Sequence, residues 1–226
     1  MKIQFLGTGA ADWPKEKDYT MPEFRRLSSA LVDDCLLIDP GPGVPDAIEE
    51  YEIDISKIKY ILVTHSHGDH YNQNTFDMLC SNGAKHIVCN AGDEVNFASY
   101  TVRAYTANHG TSKDAVHYLI SDGEKKLFYG LDGAWLMYDE IQAIKKYCPD
   151  YAVLDATIGD IDGDYRIFEH NNLNMIREMK KTLAPYVGKF CISHMAMTLH
   201  TDHFTLAENM NKSGIDTAFD GMIAEF

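Results

Sequence analysis

Ile61 to Asn72 reads ILVTHSHGDHYN, an apolar, β-branched run followed by three histidines and an aspartate within the six positions from His65 to His70. The run Tyr60 to Val63 suits a buried strand, so the polar cluster begins where that strand would end. Active groups collect at such carboxyl edges of sheets. His65 and His67 are two residues apart and share one side of an extended segment, while Asp69 and His70 follow as the chain turns toward a helix near Asn72. Gly68 permits the tight turn between the pairs. Two facing pairs of donors suggest two metal ions, and imidazole with carboxylate suits Zn, Mn or Fe(II), with no thiolate competing in the run. A lone histidine is commonly a hydrogen-bonded structural residue. Burying three imidazoles and a carboxylate side by side without a metal, however, would leave several polar groups needing partners at substantial desolvation cost.

One strand end cannot complete two metal sites, so further donors are expected at later strand ends. His109 follows VRAYTAN, Asp132 follows LFYG, and His194 follows KFCIS. Asp132 is the natural bridge, because a carboxylate can bind one ion with each oxygen and a neutral imidazole cannot. His109 would complete a first site with His65 and His67, and His194 a second with Asp69, His70 and Asp132.

Further out, β-like runs recur in KIQFLG, SALV, CLLID, HIVCN, AVHYLIS, YAVLDA and TAFDG, among others. Helix-like windows with apolar residues at threes and fours fall at 44–50, 72–81, 136–147, 171–182 and 202–212. Neither strict alternation nor all-β, the pattern draws two sheets with helices packed outside. The length of 226 residues with 45% hydrophobic content fits one domain over 1–226. The irregular stretch 11–28 is long for a loop, and such loops are often lids or binding elements.

The formal net charge is −14, and no Lys/Arg-rich block is present, which argues against a protein that grips nucleic acid through its phosphates. No run of about 18 apolar residues occurs, and the start MKIQFLGTGAADW reads as strand and turn rather than signal peptide. A cytoplasmic protein with no membrane association is expected. The five cysteines are scattered, without C-x-x-C spacing, and read as buried free thiols.

Taken together, the residues resemble the metallo-β-lactamase superfamily of binuclear metallohydrolases, whose signature is H-x-H-x-D-H followed by a separate His, Asp and His. The matching positions are His65, His67, Asp69, His70, His109, Asp132 and His194. The resemblance includes the FLGTGA start and the LLIDPG turn before the motif, and it implies a four-layer αββα sandwich of the α/β class and two divalent metal ions, Zn or Mn, with Fe an alternative. Asp132 separates the chain from true β-lactamases, which typically lack the bridging aspartate. Within the superfamily the chain is similar to the cyclic-phosphate phosphodiesterase of bacterial phosphonate degradation, through EFRRLSSALV, FEHNNLNM and GIDTAFDGMIAEF. In that subfamily a histidine beside the metals serves without being a ligand, and His170 in EHNNL is the matching position, which implies a general acid. The stretch 11–28 contains no cysteine, so the additional cysteine-rich zinc site found in that subfamily is not expected. The register of the last ligand stays open between His194, which directly ends its strand, and His200. His203 reads as a helix-start residue, and His86 and His117 as ordinary strand histidines.

The implied reaction is hydrolysis of a small phosphodiester, cyclic or linear, by a metal-bridging hydroxide, with Asp69 orienting the nucleophile and His170 protonating the leaving alkoxide. Arg25 or Arg26 would supply a bidentate phosphate contact, or else pair with the acidic surface. A thioester, lactone or other carbonyl hydrolase would use the same ligands, and a non-catalytic metal sensor is the reading of a different class. RNA processing is disfavoured by the charge. A homodimer is compatible with the sequence, which does not set the oligomeric state.

Overall fold

The structure, a computed structural model, describes residues 1–16, 20–21 and 23–226. The expectation of a lid over 11–28 therefore lies in part outside the described residues. The chain divides into two compact units, one of Met1–Val88 with Ala218–Glu225 and the other of Cys89–Thr217 with Phe226. In chain order the elements are β1 (Lys2–Gly7), β2 (Ser29–Val32), β3 (Leu36–Ile38), α1 (Val44–Glu50), β4 (Tyr60–Leu62), α2 (Gln73–Ser81), β5 (Lys85–His86), β6 (Glu94–Phe97) and β7 (Tyr100–Thr106). They continue with β8 (Val116–Ser121), β9 (Lys126–Gly130), α3 (Tyr138–Tyr147), β10 (Tyr151–Asp155), α4 (Leu173–Leu183), β11 (Lys189–Ser193), α5 (His203–Asn211), β12 (Ile215–Thr217) and β13 (Ile223–Glu225).

The first unit holds a mixed sheet in the order β13-β1-β2-β3-β4-β5. Asp33 and Asp34, both at positive φ, make the tight antiparallel return from β2 to β3. After β3 the chain crosses through α1 to a parallel β4, with Ile38 opposite Leu62. Leu6, Leu31, Leu37 and Ile61 of the strands pack against Val44 and Ala47 of α1 and Leu79 of α2. The start of α2 is set by Asn72, whose side chain accepts the Thr75 N–H.

The second unit's sheet runs β12-β11-β10-β9-β8-β7-β6. The strands from β6 to β9 form an antiparallel meander, and those from β9 to β12 are parallel. Helices α3, α4 and α5 lay Ile144, then Leu173, Ile176, Met179 and Leu183, then Leu206 and Met210, over Phe128, Leu154, Phe190 and Ile192. For α4 the four apolar side chains in this cluster contribute roughly 1.5–3 kcal/mol each. A propensity deficit of at most about 0.7 kcal/mol per ordinary residue cannot compete, so the apolar stripe decides the helix.

Two mixed sheets, each with its own helices, agree with the expected αββα class. All five helices stand within about two residues of the expected windows. The expected strand HIVCN shrinks to Lys85–His86, an edge pair on Tyr60 and Ile61. The short strands β6 and β13 carry no sequence signal of their own. The first is polar and exists by pairing with β7, and the second pairs with β1, whose residues lie more than 200 positions away. Among the described residues no helix is long and apolar enough to cross a membrane.

Candidate metal centre

In the first unit the parallel pair β3 and β4 ends together, which sets Asp39 beside the start of the histidine motif. Asp39 is fully buried and left-handed at φ 61. Its carboxylate accepts the Thr64 N–H at 2.7 Å and the Thr64 hydroxyl at 2.9 Å, and it lies 2.8 Å from Nδ1 of His70. Having donated its proton to Asp39, the Thr64 hydroxyl accepts from Nδ1 of His65 at 3.0 Å. Both imidazoles are thus held through Nδ1, which leaves Nε2 as the nitrogen that could coordinate a cation. The His65 ring lies 4.5 Å from those of His67 and His70, and the Asp69 carboxylate is 3.5 Å from Nε2 of His70. Beneath the motif passes Gly41, where a Cβ would stand 2.7 Å from the Asp69 carbonyl oxygen, so only glycine fits.

In the second unit three adjacent parallel strands end at one level, Gly130 opposite Leu154 and Asp155 opposite Ser193. Asp132 and His194 follow their strands in left-handed conformation, at φ 63 and 62. With Asp39 these are three buried non-glycine residues in a sparsely populated region, where backbone strain is tolerated at functional sites. Asp132 Oδ2 lies 3.7 Å from Nε2 of His109 and 3.9 Å from Nε2 of His194. These separations exceed hydrogen bonds and fall within the range of donors sharing one cation.

Behind them, fully buried Asp155 accepts the N–H groups of Thr157 and Asn171 at 3.1 and 2.9 Å and the Thr157 hydroxyl at 2.9 Å. That hydroxyl is 2.7 Å from Nδ1 of His194 and 3.1 Å from Nδ1 of His170. The His170 Nδ1 also lies 3.1 Å from Asp132 Oδ1 and 3.3 Å from Asp155 Oδ2. Burial opposes the charge on His170, but the Asp155 and Asp132 carboxylates outweigh it and raise its pKa above the ordinary imidazole value. Burial also opposes charge on Asp155, and the His170 and His194 imidazoles outweigh it, holding the carboxyl far below the usual range.

Within this unit Asp132, Asp155, His170 and His194 offer ligand-type atoms all within 4.8 Å of one another, as do His109, Glu169 and His170. His194 therefore stands with Asp132, whereas Nε2 of His200 is bound to the Ala156 carbonyl at 2.7 Å. Beyond the expected residues the structure adds Asp39, Thr64, Asp155, Thr157 and Glu169. The strand-end rule that found Asp132 would also have found Asp155 in YAVLDA.

Arg25 and Arg26 are both buried inside the first unit. Arg25 donates to the Thr8 hydroxyl at 2.7 Å and the Ala218 carbonyl at 3.0 Å. Arg26 pairs with Glu50, donates to the Tyr51 hydroxyl at 3.0 Å, and gives its backbone N–H to Asp220 at 2.6 Å. A phosphate clamp needs an accessible guanidinium, and these two serve internal hydrogen bonding and, for Arg26, ion pairing instead.

Residues 27–94 match the model of the metallo-beta-lactamase superfamily. Ribonuclease Z of Streptococcus agalactiae is 37% identical over 70 residues, 31% of this chain and 22% of that protein. Ribonuclease Z of Streptococcus pyogenes is 36% identical over a stretch of the same length. The matched stretch is thus about a fifth of the length of these curated relatives. Among solved structures, the metallo-beta-lactamase fold protein YhfI from Bacillus subtilis superposes with a TM-score of 0.76 at 15% identity, covering 100% of this chain and 99% of that one. Zn(2+)-bound PqqB from Methylobacterium extorquens gives 0.77 at 16%, covering 100% of both chains. The short form of human tRNase Z gives 0.69 at 17%, covering 100% and 99%. The last three likenesses are of fold. They bear out the expected α/β architecture, and the family match over residues 27–94 supports the superfamily reading.

Proposed function

We propose that this metallo-β-lactamase-type hydrolase cleaves a small phosphodiester, with a cyclic phosphate, as in the phosphonate-pathway subfamily, the favoured form. The observation that carries the reading is His170, an imidazole set beside Asp132 and held through Nδ1 by the buried Asp155. The donor chemistry fits divalent cations, because His65, His70 and His194 each have Nδ1 engaged by a buried oxygen, the arrangement typical of metal-ligating histidines. In this proposal His65, His67, Asp69, His70, His109, Asp132 and His194 would hold two ions. Two such ions, Zn or Mn with Fe as the alternative, would polarise a phosphoryl oxygen and make water acidic enough to attack at neutral pH.

The chain's own residues supply the rest. With Nδ1 turned to Asp155, His170 carries its transferable proton on Nε2 and delivers it to the leaving alkoxide. The Asp155 and Asp132 carboxylates raise its pKa against the opposing effect of burial, which favours the acid form. Asp69 orients the attacking water. The partial likeness to ribonuclease Z supports phosphodiester chemistry, and the net charge of −14 supports a small substrate over a nucleic acid, in a cytoplasmic setting.

The test is His170→Ala. It should keep fold and metal content, about two ions per chain, and lose about 10²- to 10⁴-fold in kcat on a diester with a poor alkoxide leaving group. The loss should shrink on a nitrophenyl ester. Because the protonated form is required, wild-type kcat should fall as pH rises past the elevated His170 pKa, and the variant should lack that limb. Equal losses on both esters with an unchanged pH profile, or turnover of thioesters and lactones in preference to diesters, would overturn the reading.

A further inference from the structure

Next to His170 the chain places a carboxylate that the reaction above does not use. Glu169 and His170 leave the 3₁₀ turn Tyr165–Phe168 together, their N–H groups both donating to the Arg166 carbonyl, at 2.9 and 2.8 Å. The half-buried Glu169 side chain lies against the backbone just after His109, where a Cβ on Gly110 would meet Oε1 at 3.2 Å. Its Oε2 accepts from the Thr111 hydroxyl at 3.3 Å, and the same hydroxyl lies 3.2 Å from Nε2 of His109. Its carboxylate is therefore fixed within 4.8 Å of the ligand-type atoms of both His109 and His170. The nearby cation is already spent, since Arg166 grips Asp164 through Nε at 2.9 Å and Nη2 at 2.6 Å. Among the described residues no Lys or Arg side chain pairs with Glu169.

We propose that Glu169 is a specificity residue that restricts the site to substrates carrying one negative charge at phosphorus. The inference rests on the phosphodiesterase reading. A phosphoryl group within reach of His109's ion and His170's proton has its remaining oxygens beside this carboxylate. A phosphodiester brings one negative charge there, shared with the cations. A phosphomonoester, or a diester with a second phosphate next to the cleaved one, brings a further charge against a carboxylate that no Lys or Arg side chain pairs among the described residues, and like charges so close are disfavoured. A cyclic or small diester with neutral substituents passes this filter.

Glu169→Gln keeps the size and the acceptor for Thr111 while removing the charge. On purified protein carrying its own metals, kcat/KM for p-nitrophenyl phosphate should rise about tenfold, and that for bis(p-nitrophenyl) phosphate should stay within about threefold. Calorimetric titration at pH 8 supplies a readout without turnover, in which inorganic phosphate, a dianion there, should bind about tenfold tighter to the variant while dimethyl phosphate binds unchanged. An unchanged ratio between the two esters, or equal phosphate binding by both proteins, would overturn the assignment. Wild-type turnover of a thioester and of neither phosphate ester would sink the parent reading alone, because the phosphate titration still decides the role of Glu169.

Discussion

The two clusters of candidate donors, one in each unit, use the same chemistry and are assembled by opposite means. In the first unit four donors occupy His65 to His70 at one strand end, and a single outer carboxylate, Asp39, reaches His70 directly and His65 through Thr64. In the second, His109, Asp132, His170 and His194 come from separate segments. Asp155 on β10, which lies between β9 and β11, serves two of their imidazoles at once, aided by Thr157. A contiguous motif brings most of its geometry with it. A dispersed one depends on sheet register and on one buried anion, so losing that anion should disturb more donors.

The sharpest way to break this comparison is to neutralise the two anions in turn. Asp155→Asn should cost about 10³-fold in kcat/KM with the fold retained, since it loosens two imidazoles where one such partner is ordinarily worth about 10- to 100-fold. Asp39→Asn should cost only about 10- to 100-fold, read as activity and as metal affinity by chelator competition. A larger loss for Asp39 would mean that the contiguous half is the more dependent one.

A weaker effect should separate the units by pH. In the second unit, buried His117 lies 2.5 Å from Glu140 and beneath Gly133, where a Cβ would stand 2.8 Å from the ring, directly beside Asp132. Burial alone would lower the His117 pKa, but Glu140 outweighs it and the net shift is upward. A raised folded-state pKa stabilises fully below the unfolded value of about 6.5 and loses that contribution as pH rises through the folded value. Denaturant midpoints from pH 6 to 9 should therefore fall more steeply in wild type than in Glu140→Gln. Parallel curves would show that the pair does not couple protonation to stability.

At the smallest scale the units should be alike. Asn72 caps α2 by accepting the Thr75 N–H, and Asn172 caps α4 by accepting the Met175 N–H at 2.9 Å. Asn72→Ala and Asn172→Ala should each cost about 1 kcal/mol of unfolding free energy. A clearly larger loss at Asn172 would indicate that its bond to the Ile161 carbonyl matters beyond the cap.

What the sequence determined by itself is what repeats or clusters locally. The helices are legible because their apolar residues recur along one face, and the histidine motif because its donors are contiguous behind a β-branched run. Asp132 and His194 stand out in the sequence as candidates because they come at the ends of apolar strands. Tertiary structure decided the rest, since parallel register places residues far apart in sequence at one level. Asp39 meets His70 across β3 and β4, and Asp155 meets His194 across β10 and β11. The same register sets His194 beside Asp132 and leaves His200 on the Ala156 carbonyl. Arg25 and Arg26 read as clamps only until the fold buries them with Thr8, Glu50 and Asp220, because a charge pattern records neither depth nor partner. Glu169 reads as one acidic residue among many until the turn at Tyr165–Phe168 sets it beside His109, a placement that no spacing in the chain encodes.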